Sequence, residues 1–97
     1  MTDRHRALED ATHRTVFEGP GVTPSSLRQS LRRGEAPEEL RVLVGKIRNH
    51  AYEVTDEDLA VLRKRYTEDE LFEIIVATTV GAAEHRLSAA LAALEEA

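Results

Sequence analysis

A chain of 97 residues with 13 Lys and Arg against 18 Asp and Glu, net charge −5, reads as one small acidic domain spanning 1–97. It has no cysteine, no tryptophan and only four aromatic rings, so its core is aliphatic; disulfides, thiol nucleophiles and thiolate metal sites are excluded. The charge is uneven, with six Arg against four acids in residues 1–34 and seven bases against fourteen acids in residues 35–97. An acidic chain with one short basic segment is a poor binder of nucleic acid, and no run of 18 apolar residues offers a membrane span.

The charged start, Met1-Thr2-Asp3-Arg4-His5-Arg6, leads into no apolar run, so no secretion signal is expected, and the absence of cysteine fits a reducing cytoplasm. Residues 3–17 are expected to form a helix, within an N-terminal stretch 1–20 that is flexible or packs on a partner. Glu18-Gly19-Pro20-Gly21 breaks it. Thr23-Pro24 reads as helix cap and first helical residue, opening a short helix through Leu27 and Leu31 that stops at Gly34. Arg28, Arg32 and Arg33 give that helix a basic side, read as a solvated face, with an anion or acidic-partner site as the alternative.

Pro37 opens the next helix, with Glu38 and Glu39 in its first turn and Leu40, Leu43, Val44, Ile47, Ala51 and Val54 as its apolar stripe. Thr55-Asp56-Glu57-Asp58 is a capping signature for a helix burying Leu59, Val61 and Leu62 and fraying at Arg63-Lys64-Arg65. Tyr66 lies in the turn that follows. Thr67-Glu68-Asp69-Glu70 is a second capping box, with three acids suited to the positive end of a helix dipole.

From there Leu71, Ile74, Ile75, Thr78, Ala82, Leu87, Leu91 and Leu94 recur at helical steps, so one long helix runs from Thr67 to about Glu95. Its first half is apolar nearly all round. At ~1.5 Å per residue it spans about 43 Å, long for so small a domain, so it bends near Gly81 or packs its far end on another chain. Gly45 and Gly81 are expected to mark close helix contacts. No stretch alternates with period two, so the fold class is all-α: a small bundle of about five helices around a long C-terminal one. A homo-oligomer adds buried area that such a small domain lacks.

The histidines make no metal-binding pair: His5, His13, His50 and His85 include no His-x3-His or His-Glu-x2-His. No metal or cofactor is called for, and no phosphate loop or serine elbow is present. His50, at a helix end, suits the negative end of the dipole. The acids are more pointed. Glu73 interrupts the apolar half of the long helix, so it must face solvent, find a basic partner, or carry a raised pKa.

Val54-Thr-Asp-Glu-Asp-Leu, then Tyr66-Thr-Glu-Asp-Glu-Leu-Phe-Glu-Ile-Ile-Val-Ala and Gly81-Ala-Ala-Glu-His-Arg-Leu, resemble the carboxymuconolactone decarboxylase and alkylhydroperoxidase D-like family, in its short cysteine-free branch. The resemblance covers about residues 38–94. It implies an all-α bundle that trimerises or assembles into a hexamer. Redox members carry Cys-x2-Cys-x3-His with an upstream glutamate; those places fall here on Ala51, Val54 and Asp58, with Glu39 upstream, so thiol peroxidase chemistry does not carry over. What the resemblance leaves is Glu39 and Asp58 as an acid pair, with His50 and Tyr52 close by in sequence. Glu39, His50 and Asp58 are therefore the candidate catalytic residues of a cofactor-free acid/base enzyme or small-molecule binder. The alternative is a non-catalytic oligomeric scaffold or partner subunit. A helix-turn-helix DNA binder is disfavoured by the acidic balance.

Overall fold

The computed structural model describes residues 14–96, and among them the secondary structure is entirely helical. A π-helical turn, Arg14–Glu18, is followed by α1 (Ser25–Arg32), α2 (Arg41–His50), α3 (Asp56–Leu62) and α4 (Glu68–Glu96), with 3-10 turns at Glu38–Leu40 and Ala51–Glu53. The expected N-terminal helix lies largely outside the described residues, as do His5 and His13. Its described end is the π-helical turn, and it brings Phe17 into the interior at 0 % exposure.

Local chemistry sets the helix ends. α1 begins one residue later than the Thr23-Pro24 pattern predicts: Pro24 is the N-cap, with no side-chain cap, because the Thr23 hydroxyl is engaged by Glu73 of α4. α1 closes in a Schellman motif, in which Gly34 adopts φ 80° and donates to Leu31 O while the Glu35 amide donates to Ser30 O. Both capping boxes form. Thr55 and Asp58 exchange hydrogen bonds at the start of α3, and Thr67 and Glu70 do the same at the start of α4, each satisfying two amides that the first turn leaves free.

The core is one aliphatic cluster. Leu40, Leu43, Val44 and Ile47 of the second expected stripe are buried, joined by Phe17, Leu31, Leu62, Leu71, Ile74 and Ala77. Two members expected inside are elsewhere: Val61 is 64 % exposed because the short α3 turns only Leu62, with Leu59 half-buried, towards the core, and Ala51 is exposed because α2 ends at His50 and the chain passes into the 3-10 turn Ala51–Glu53. The buried Thr78 is satisfied within its own helix, its Oγ1 donating to Ile74 O at 2.8 Å.

The two helical glycines differ. A Cβ at Gly81 would lie 2.6 Å from Arg32 Cα and O, so the end of α1 rests on α4 where only hydrogen fits. Gly45 has nothing within 4 Å of its would-be Cβ, so the close contact expected there is absent. α4 runs uninterrupted past Gly81, and the molecule is 46 Å long in its largest dimension. No helix among the described residues is long and apolar enough to cross a membrane.

Candidate functional site

Glu39 and Asp58 line the same shallow depression of about 330 Å³, together with Val42, Leu43, Glu57, Val61 and Leu62. Capping positions put them there: Glu39 sits in the 3-10 turn that Pro37 opens, and Asp58 is the third residue of α3, fixed by its capping box. His50 is not among the lining residues. Its Nδ1 lies 3.3 Å from the Tyr52 hydroxyl, and the two rings meet edge-on with centroids 5.8 Å apart on the exposed surface.

Both acids are already occupied. Asp58 accepts from Lys46 Nζ at 2.7 Å and from the Thr55 amide at 3.0 Å. The lysine first, then that amide, holds its carboxyl below the usual carboxylate range. Glu39 accepts from the Tyr66 hydroxyl at 2.8 Å; a backbone amide hydrogen bond, then the tyrosine, lowers its pKa too, while burial and the glutamate push Tyr66 up. A general acid at neutral pH needs a carboxyl raised towards 7, and a general base loses strength as its pKa falls. These carboxylates move the other way. Among the described residues no group of three or more His, Asp or Glu is arranged to hold a metal ion.

Arg28 and Glu73 form a third constellation. Arg28 is 5 % exposed rather than part of a solvated face. It donates to Val16 O at 2.9 Å and to Gly19 O at 2.6 Å, and its Nε lies 4.0 Å from Glu73 Oε1. Glu73 thus finds the basic partner that was one of its expected solutions, and with it the Thr23 hydroxyl and the Val22 and Thr23 amides as donors. The Thr23 hydroxyl and then the Val22 amide hold its pKa low, so the raised-pKa alternative is set aside. A Cβ on Gly21 would come within 2.6 Å of Glu73 Oε1, which is why the chain has glycine at this crossing.

Other arginines serve helix ends. Arg48 donates to Arg32 O at 3.3 Å, closing α1, and Arg86 donates to Arg48 O near the end of α2, so each cation meets the negative end of a helix.

The remaining feature is α4 itself. Its apolar residues are not one stripe but two, split by the five-residue step from Ala82 to Leu87. Leu71, Ile74, Thr78 and Ala82 face inward and are buried. On the roughly opposite side, at 3.6 residues per turn, lie Phe72, Val76, Val80, Ala83, Leu87, Leu91 and Leu94. Their steps are 4, 4, 3, 4, 4, 3, two successive eleven-residue repeats. Phe72, Leu87 and Leu94 are 68 %, 42 % and 70 % exposed, Ala83 is exposed, and Val76, Val80 and Leu91 are half-buried. Among the described residues, none after Ala82 is buried. Compared with family models, with curated proteins and with solved structures, the chain has no match.

Proposed function

We infer that the chain is a non-catalytic helical scaffold subunit that assembles with further copies of itself through the outward face of α4. The observation that carries this reading is the second apolar stripe, which runs the 23 residues from Phe72 to Leu94, roughly 33 Å along the helix, and continues past Ala82, the last buried one among the described residues. A helical end this short is marginal in water on propensity alone, and an exposed apolar stripe of this length marks an interaction surface. A copy of the same chain is the fitting partner because the repeat matches itself. Its mean step of about 3.67 residues favours a nearly straight or gently right-handed pairing. A trimer or hexamer in the cytoplasm, in the manner of a cysteine-free member of the carboxymuconolactone decarboxylase-like family, is the assembly this reading expects, without thiol peroxidase activity.

Light scattering on the wild type and on Leu87→Glu tests it. The wild type is expected to exceed the 10.8 kDa of one chain, and the variant to approach it with its helix content retained. A wild type of monomer mass throughout the micromolar range would contradict the reading.

A small-molecule binder has one observation in its favour, that Glu39 and Asp58 share one depression. The apolar floor and the ionised rim would select a cationic ligand with an apolar body. Ligand-induced shifts confined to Val42, Val61 and Asp58 resonances would support it, and their absence across a panel of such amines would count against it.

A further inference from the structure

The inward face of α4 outlasts the core that covers it. Leu71, Ile74, Thr78 and Ala82 are buried, and the next position at helical spacing is the exposed His85. The ends of α1 and α2 stop beside it. Arg32 and Arg33 of α1 share one hollow with Glu84, His85 and Ser88, and there Glu84 lies 3.5 Å from Arg32 Nε. A second hollow, of about 300 Å³, is lined by Arg48 and Asn49 of α2 and by Ala82, His85 and Arg86 of α4. No carboxylate is among those five.

We propose that the second hollow is a binding site for a phosphate-sized dianion, held by the guanidinium groups of Arg48 and Arg86 with the His85 ring beside them. Both arginines are fixed before a ligand arrives. Arg48 donates to Arg32 O at 3.3 Å, and its Nε lies 2.9 Å from where a Cβ on Gly34 would be. Arg86 donates to Arg48 O. Each bond takes one N–H of a group that carries several, so the remaining donors meet an anion with little ordering left to do. The guanidinium fork matches phosphate oxygens in pairs. The helix ends nearby carry about half a negative charge each, which leaves the two arginines a net positive field that a dianion feels twice as strongly as a monoanion. The acids of the first turn of α4, Glu68 to Glu70, lie 15 residues or more before His85, roughly 22 Å along the helix. That is well outside the screening length of about 8 Å at physiological salt. The site lies off the outward stripe and stands whether or not the chain self-associates.

Inorganic phosphate is the probe, titrated at mildly alkaline pH into isotope-labelled protein, with sodium chloride at matched ionic strength as the control. Resonances of the Arg48 and Arg86 side-chain N–H groups and of the His85 ring are expected to shift and saturate with phosphate and not with chloride. Arg86→Gln should weaken binding about tenfold and His85→Ala about threefold. Arg63→Gln, at the other end of α4 where Arg63 pairs with Glu68 at 2.6 Å, should stay within about twofold of wild type. Should Arg86→Gln fail to fold, His85→Ala carries the test, since its exposed ring can be removed without opening the core. Shifts that match those with chloride, or that never saturate, overturn the site. So does a phosphate affinity left unchanged by both Arg86→Gln and His85→Ala, or lowered as much by Arg63→Gln.

Discussion

The inner and outer faces of α4 are built from the same kinds of residue at the same helical spacing, yet one is fully covered and the other only in part, with Val76, Val80 and Leu91 half-buried and the rest exposed. Leu71, Ile74, Ala77 and Ala82 meet α1, α2 and Phe17 and are at most 4 % exposed, while Phe72, Leu87 and Leu94 are 42–70 % exposed. Spacing therefore reports that a helix has an apolar side and says nothing of what covers it. The step from Ala82 to Leu87 marks the change of role: before it the helix is a core element, and after it the helix has only its outward stripe.

The largest effect expected from breaking this contrast is at Ile74, 0 % exposed at the centre of the inner face. Ile74→Ala should cost about 2–5 kcal/mol, read as a fall in the urea midpoint with an unchanged slope. Gly81→Ala comes next. The methyl group would enter the Arg32 backbone, and overpacking of roughly 1–3 kcal/mol should outweigh the helix-propensity gain.

Acid should then loosen the fold. Glu39, Asp58 and Glu73 all have folded pKa values below their ordinary ones, so the unfolded chain takes up protons first as pH falls. Their contribution is fully present above the unfolded values of about 3.9–4.3 and is lost as pH drops through the lower folded ones. The urea midpoint should stay flat from neutral pH down to about 5 and decline below about 4. A decline that begins near pH 6 would show a titrating group other than these.

Gly45→Ala should have the opposite sign to Gly81→Ala. With open space around it, alanine should stabilise α2 by about 0.5–1 kcal/mol. Smallest of all is Leu87→Glu measured on the dissociated chain, within about 0.5 kcal/mol of wild type. An outer-face substitution with an inner-face cost at high dilution would erase the distinction between the two faces.

What could be read from the sequence was what neighbours in sequence decide. Both capping boxes, the Gly34 stop, the Pro37 start and the length of α4 depend on residues at most four apart, and all are found. The buried set Leu40, Leu43, Val44 and Ile47 followed from period alone. Misread features depend on distant partners. Arg28 and Glu73 are far apart in sequence, and nothing local tells a buried arginine tying down carbonyls from one in solvent. Thr23 looked like a cap because the carboxylate that claims its hydroxyl comes from α4. Phe17, ahead of a Glu-Gly-Pro-Gly break, gave no periodic signal, yet it is fully buried beneath the Arg32 guanidinium, 5.8 Å from the ring centroid. Among the candidate site residues, Glu39 and Asp58 do share a depression, but their lysine and tyrosine partners were not readable from spacing.

Hydrogen exchange along α4, followed at two protein concentrations, bears most directly on whether a second copy covers the outer face. Amides of residues 87–96 belong to a helical end with no buried residue, and an uncovered end opens almost freely. If copies pair through the stripe, protection there should rise with concentration, while the amides around Ile74 keep the exchange rate set by global unfolding. Exchange at 87–96 that is fast and identical at both concentrations would contradict the assembly face.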